Sequence, residues 1–345
     1  DHQVIYLQKL LEIYEKVNKK ELVKALDEKI YASSNVPYRI KAYKAIVEDP
    51  RNTIVFDRDL STKLQTFAKS AGSDAKLVTA DGIPGSQEVA LVTLTTKLLQ
   101  LVIAKMANFV PGGGIWLNTQ RPEWNDANNA LAGYGLSMVT TSYLYRMLTF
   151  LKEIYSSSDD AAFAIPKTEK AFFDELLSIY SSAKPEDTMS EKSRADFTRS
   201  CGIAFEKERK AFYHDYSLLT KTTSLKKEEL LGAIDVFLSH LEYSIKQNKK
   251  ENGLYHSYNT LAINKDGMKV NYLQEMLEGQ VAVLSSKMLS AKEACELYDA
   301  LKNSGMYEKR QHSYMLYPTK ELPDFLKKNI VSKSEASSIA LLKEQ

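Results

Sequence analysis

The chain has little cysteine, little net charge and no long unbroken apolar run, and each shortage removes a class of function. Two cysteines, Cys201 and Cys295, in 345 residues cannot build a disulfide framework, and no metal-ligand spacing is available. Both are expected as small buried apolar side chains within helices. Lys+Arg 46 against Asp+Glu 44 leaves a formal charge of +2, too little for the general positive field that nucleic acid or anionic lipid calls for. A neutral partner is expected, with no nucleic acid, metal or cofactor. The most apolar stretch, residues 90–110, is interrupted by Lys97, Gln100 and Lys105 and has no flanking basic loop. It is therefore expected as a buried helix and not a membrane span. The chain starts at Asp1 rather than Met, so it is expected to be a trimmed or processed piece, and its compartment is left open.

What is present is ordinary core-forming material: 44% hydrophobic and 26% charged residues, enough for a large core. Val4, Leu7, Leu11 and Tyr14 recur at three to four residues and predict an amphipathic helix. Further helices are expected over 20–31, 38–47, 87–110, 136–154, 167–183 and 228–249. Thr188 with Glu191 reads as a capping box opening a long helix towards Leu219, with Gly202 at a kink. Ser290 with Glu293 and Ser332 with Glu335 repeat that signature. Strand signals are few: Ile54-Val55-Phe56, and a hairpin pairing Leu261-Ala262-Ile263 with Met268-Lys269-Val270 through Asp266-Gly267. The resulting expectation is a soluble, all-α fold of ten to twelve helices over residues 1–345, with one short β-hairpin.

Chemistry concentrates in the loop after Gly112-Gly113-Gly114. Between residues 115 and 129 lie both tryptophans, Trp116 and Trp124, with Arg121, Glu123, Asn125 and Asp126. Loops held between rigid elements commonly carry sites. Amides and carboxylates bond sugar hydroxyls and indoles stack on sugar rings, although Asp126 could simply cap the next helix. A second cluster joins Tyr255, His256 and Tyr258 to Glu278, whose carboxylate at a helix start is kept ionised by the helix dipole and suited to act as a base. His312 lies in a third polar and aromatic run, where a surface role competes with substrate contact. The mixed run from Glu206 to Lys210 reads as a solvated helix face, not a site.

The run Arg121-Pro122-Glu123-Trp124-Asn125-Asp126, with Met276-Leu277-Glu278-Gly279-Gln280 downstream, resembles the acid loop and second carboxylate of the six-hairpin, (α/α) toroid glycosidase-like superfamily. The resemblance covers about residues 87–318 and implies an (α/α) toroid of helical hairpins acting on oligo- or polysaccharide. It implies an inverting glycoside hydrolase with Asp126 as general acid (Glu123 as the alternative) and Glu278 as general base, their carboxyls about 6.5–9.5 Å apart to admit water. Trp116, Trp124, Tyr255 and Tyr258 would then be sugar platforms, and Arg121, Asn125 and His256 would bond hydroxyls. A polysaccharide lyase, a phosphorylase and a non-catalytic glycan-binding protein are the alternatives.

Overall fold

The computed structural model describes residues 3–71, 76–86, 88–119, 130–318 and 323–343. A π-helical turn, Gln3–Leu7, leads into α1 (Gln8–Ala25). Short strands β1 (Tyr31–Ala32) and β2 (Tyr38–Ile40) precede α2 (Tyr43–Glu48), β3 (Ile54–Phe56), α3 (Arg58–Ala71) and β4 (Leu91–Val92). The central part runs α4 (Leu94–Met106), β5 (Phe109–Val110), β6 (Gly114–Trp116), β7 (Gly135–Ser137), α5 (Met138–Ser156), β8 (Ala162–Pro166) and α6 (Lys167–Ser181). Then follow α7 (Glu191–His214), β9 (Thr222–Lys226), α8 (Lys227–Gln247), the hairpin β10 (Tyr258–Asn264) and β11 (Gly267–Tyr272), α9 (Leu277–Ser285) and α10 (Ala291–Lys302).

This is a mixed helix and strand fold, which overturns both the all-α expectation and the (α/α) toroid. Its largest sheet is five-stranded and antiparallel, ordered β11-β10-β7-β6-β5. The sheet was hidden because three of its strands are only two or three residues long and border apolar helices. A short apolar run beside a helix carries no period that separates strand from helix. The 87–110 segment thus divides into β4, α4 and β5, and the 38–47 segment into β2 and α2. Helix 20–31 is instead the end of α1, which kinks at Asn18 (φ −154°, ψ 73°).

Local chemistry fixes the helix starts. Thr93 accepts from the Thr96 N–H at the head of α4, Ser137 from Thr140 at the head of α5, and Ser190 from Ser193 at the head of α7. The cap of α7 is therefore Ser190 and not Thr188, whose hydroxyl donates to Pro185 O. Both later capping boxes form as read. In the hairpin, Lys265-Asp266 rather than Asp266-Gly267 makes the turn, with Asn264 Oδ1 accepting from the N–H groups of Asp266 and Gly267.

The main core lies where α4, α5, α6 and α8 meet. Tyr180, fully buried, sits among Phe197, Phe237 and His240, and its hydroxyl donates to Met106 O at 2.7 Å. Each such large side chain contributes about 1.5–3 kcal/mol by leaving water. Cys201 is buried as expected, whereas Cys295 is exposed on α10. Among the described residues no helix is long and apolar enough to cross a membrane.

Gly202 marks close packing, not a kink. A Cβ there would stand 2.2 Å from Cδ2 of Tyr43, a ring held in a buried cluster while its backbone N–H donates to Glu206 Oε2. Gly202→Ala gains up to about 1 kcal/mol of helix propensity but overpacks at a cost of about 1–3 kcal/mol. A lowered urea midpoint is the expected result, and an unchanged one would show that α2 yields without cost.

Candidate functional site

A cavity of about 440 Å³ is lined by residues that include Ser33 and Ser34 after β1, Lys97 and Gln100 of α4, Thr168 and Glu169 of α6, and Phe205, Glu208 and Phe212 of α7. Glu169 is among the lining residues, both its carboxyl oxygens buried. On α6 it shares one stripe with Phe172, Phe173, Leu176 and Tyr180, all buried, at spacings that place them on one helix face. The carboxyl is carried inward with that stripe, leaving the residue 2% exposed. Neither carboxyl oxygen makes a well-formed hydrogen bond.

Burial therefore governs its protonation. It pushes the Glu169 carboxyl well above the ordinary range; the Gln100 amide and the Lys97 ammonium oppose this only in part, and the Glu208 carboxylate adds to it. The start of α6 should favour the ionised form by dipole, an effect worth about 0.3–1 kcal/mol near the surface. Desolvation outweighs it here, as expected for a carboxyl cut off from water. Glu208 is partly exposed, and burial raises its carboxyl to about 7, against a smaller opposing pull from Arg209. Lys97 donates to Ser33 Oγ at 3.0 Å; burial lowers its ammonium, with Glu169 opposing. Phe172 and Phe205 stack 5.3 Å apart at 10° along one wall.

Two carboxyls with raised and different affinities for protons thus share one pocket with hydroxyls, an amide and aromatic faces. That combination is suited to moving protons on a neutral, hydroxyl-rich ligand. Sequence reading passed over both acids, and the mixed charge run is corrected accordingly: Glu208 lines a cavity and Arg209 is buried. A signal was present. Cys201, Ala204, Phe205, Glu208 and Phe212 follow the three-and-four spacing of one α7 face, so Glu208 stands on an apolar stripe where a solvated acid would not.

Of the residues singled out in the sequence, those that the structure describes lie elsewhere. Arg121, Glu123, Trp124, Asn125 and Asp126 fall outside the described residues. Trp116 is in β6, 3% exposed, its indole N–H donating to Gly133 O at 2.9 Å, so its face packs in the interior. Tyr255 and Tyr258 are 3% and 2% exposed and belong to core clusters. The segments around them do meet the 272–280 stretch. Gln280 accepts from the Tyr255 N–H and donates to Tyr255 O, and Ser257 Oγ accepts from the Gly279 N–H. His256 is half-buried, its Nδ1 2.8 Å from Leu273 O and its ring stacked on Tyr272; burial lowers its pKa, the Leu273 bond opposing. Glu278 sits in the first turn of α9, half-buried. His312 is exposed with φ +48° and lies 3.4 Å from the Tyr307 hydroxyl. None of those described lines the Glu169 cavity, and no cluster of three metal-binding side chains occurs among the described residues.

No protein-family description matches the sequence, and no curated protein is significantly similar to it.

Proposed function

We propose that the chain is a carbohydrate-active hydrolase in which Glu169 and Glu208 form the acid/base pair that cleaves a glycosidic bond. The observation that carries this reading is the pair itself: two glutamates lining one cavity, where burial raises the Glu169 carboxyl well above its ordinary value and the Glu208 carboxyl to about 7. Glycoside cleavage needs one carboxyl that holds its proton near neutrality and a second that does not. Glu169 supplies the first and donates to the departing glycosidic oxygen. Glu208, once ionised, takes a proton from the attacking water.

The lining supports a neutral sugar over its alternatives. About 440 Å³ falls within the range of small-ligand pockets and has room for one or two sugar rings. Phe172, Phe205 and Phe212 supply apolar walls, and Ser33, Ser34, Thr168 and Gln100 supply hydroxyl partners. Lys97 is the one cation lining the cavity among the described residues, and it is engaged with Ser33. A uronic acid or an inorganic phosphate would need a freer positive charge, which disfavours a lyase or a phosphorylase.

Reducing-sugar release from a panel of neutral and acidic oligosaccharides, with and without phosphate, tests the reading. Release from neutral sugars without phosphate, falling about 10²–10⁴-fold in Glu208→Gln, is the expected result. Turnover that survives Glu208→Gln, or that requires phosphate, sinks it.

A further inference from the structure

A second cavity, about 100 Å³, lies behind the first. It opens between α6 and α7, each contributing four residues at the same spacing: Thr168, Ala171, Phe172 and Glu175 on one helix, and Ala204, Lys207, Glu208 and Ala211 on the other. Three of these are alanines, too small to let the helices close the gap. Thr168, Phe172 and Glu208 line both cavities. At the outer end Lys207 Nζ donates to Glu175 Oε2 at 3.1 Å, with Lys207 75% exposed. Glu208 thus borders both the larger cavity and a second space with room for several waters, each needing about 10–15 Å³ of such volume.

We propose that this second cavity is the water route of the reaction, delivering the attacking water to Glu208 from the gap between α6 and α7. The inference rests on the hydrolase reading above. The water oxygen bonds to the anomeric carbon while Glu208 takes its proton. The bond from that carbon to the glycosidic oxygen breaks, and the oxygen leaves with the proton of Glu169. Both carboxyls then return to their starting states by exchanging protons with solvent. A substrate filling the larger cavity blocks access from its mouth, so a separate route behind Glu208 lets water arrive without the sugar leaving.

Ala171 lines the small cavity and not the large one, and it lies on the exposed side of α6. Leucine has nearly the helix propensity of alanine and fills the gap. Ala171→Leu is expected to lower kcat by roughly tenfold or more with KM and Tm unchanged, the signature of a lost step after binding. Ala211→Leu on the opposing helix is expected to do the same, whereas Ala171→Ser, which leaves the gap open, keeps wild-type kcat. Wild-type kcat in both leucine variants, or an equal loss in Ala171→Ser, overturns the route. Glu169→Gln separates the two readings. If that variant is inactive while both leucine variants turn over fully, the water route alone is wrong. Full turnover in Glu169→Gln removes the hydrolase reading and the route with it.

Discussion

Glu169→Gln is expected to abolish turnover while making the protein more stable at pH 8. The two effects have one cause. Burial holds the Glu169 carboxyl well above its ordinary titration, so the folded chain keeps a proton there that the unfolded chain releases. Glutamine has a similar shape and no proton to give. Loss of a general acid is worth about 10²–10⁴ in rate. At pH 8 the amide also removes the cost of holding a proton, or a buried charge, where solvent would take the one and solvate the other. Tm should rise by a few degrees at pH 8 and by nothing near pH 4. A Glu169 with no part in the chemistry would show the same pH-dependent Tm with kcat intact, so the loss of turnover is the result that decides its role.

The sign of the pH dependence follows from the same groups. A carboxyl whose folded pKa lies above its unfolded value binds more protons in the folded state, so its favourable contribution is complete below the unfolded pKa and is lost as pH rises through the folded one. For Glu208 that window runs from its ordinary value of 4.5 to about 7; for Glu169 it begins at the same value and extends upward. The contribution of these two carboxyls should therefore fall from pH 4.5 towards pH 8, against a rise from the buried His240 and the half-buried His256, whose pKa values burial lowers, and Glu208→Gln should lessen the falling part. Turnover should rise with pH through about 7 as Glu208 ionises, then fall as Glu169 does. Because the two carboxyls feel each other, the limbs report the pair and not either residue alone.

Helices with their own punctuation were legible in the sequence. Ser290 and Glu293 cap α10 as a box, and Ile54-Val55-Phe56 is a strand. The turn residues of the β10–β11 hairpin shift by one position, and the cap of α7 moves from Thr188 to Ser190. These features are local, and local residues decide them. The five-stranded sheet was not legible, because β6 and β7 find partners in segments apart in sequence: Trp116 pairs with Leu136, and Asn259 with the same Leu136. Trp116 misled for a related reason. In sequence it opens a polar loop, but the strand pairing of β6 turns its indole into the core. Glu208 is masked by the mixed charges around it in the sequence, and Glu169 by its place near a helix start, where acids are common. Each acid occupies a position that the apolar residues three and four places away reserve for the interior.

Arg194→Ala is expected to be the most destabilising of the changes considered, at about 3–5 kcal/mol. Arg194 is 6% exposed in the first turn of α7. Its Nε donates to Pro111 O at 2.7 Å, and its terminal nitrogens donate to Met268 O at 2.8 Å and Met189 O at 2.6 Å. One side chain thus joins the β5–β6 turn, strand β11 and the approach to α7. The turn it holds is itself demanding: Gly114 has φ +113°, and a Cβ there would stand 2.7 Å from Ser137 O. Asn248 and Asn259 complete the clamp by donating to Gly112 O and Gly113 O, each at 2.9 Å. Hydrogen bonds from a charged donor are worth about 1.5–3 kcal/mol each, and alanine leaves three carbonyls without that donor. Some recover water, which keeps the total below the sum. Lysine, with a compact ammonium in place of the planar fork, should recover only part of the loss. Urea unfolding measures this directly: a lower midpoint with an unchanged slope places the effect in the native contacts, and a loss under about 1 kcal/mol would mean that the three carbonyls are not held by Arg194 in solution.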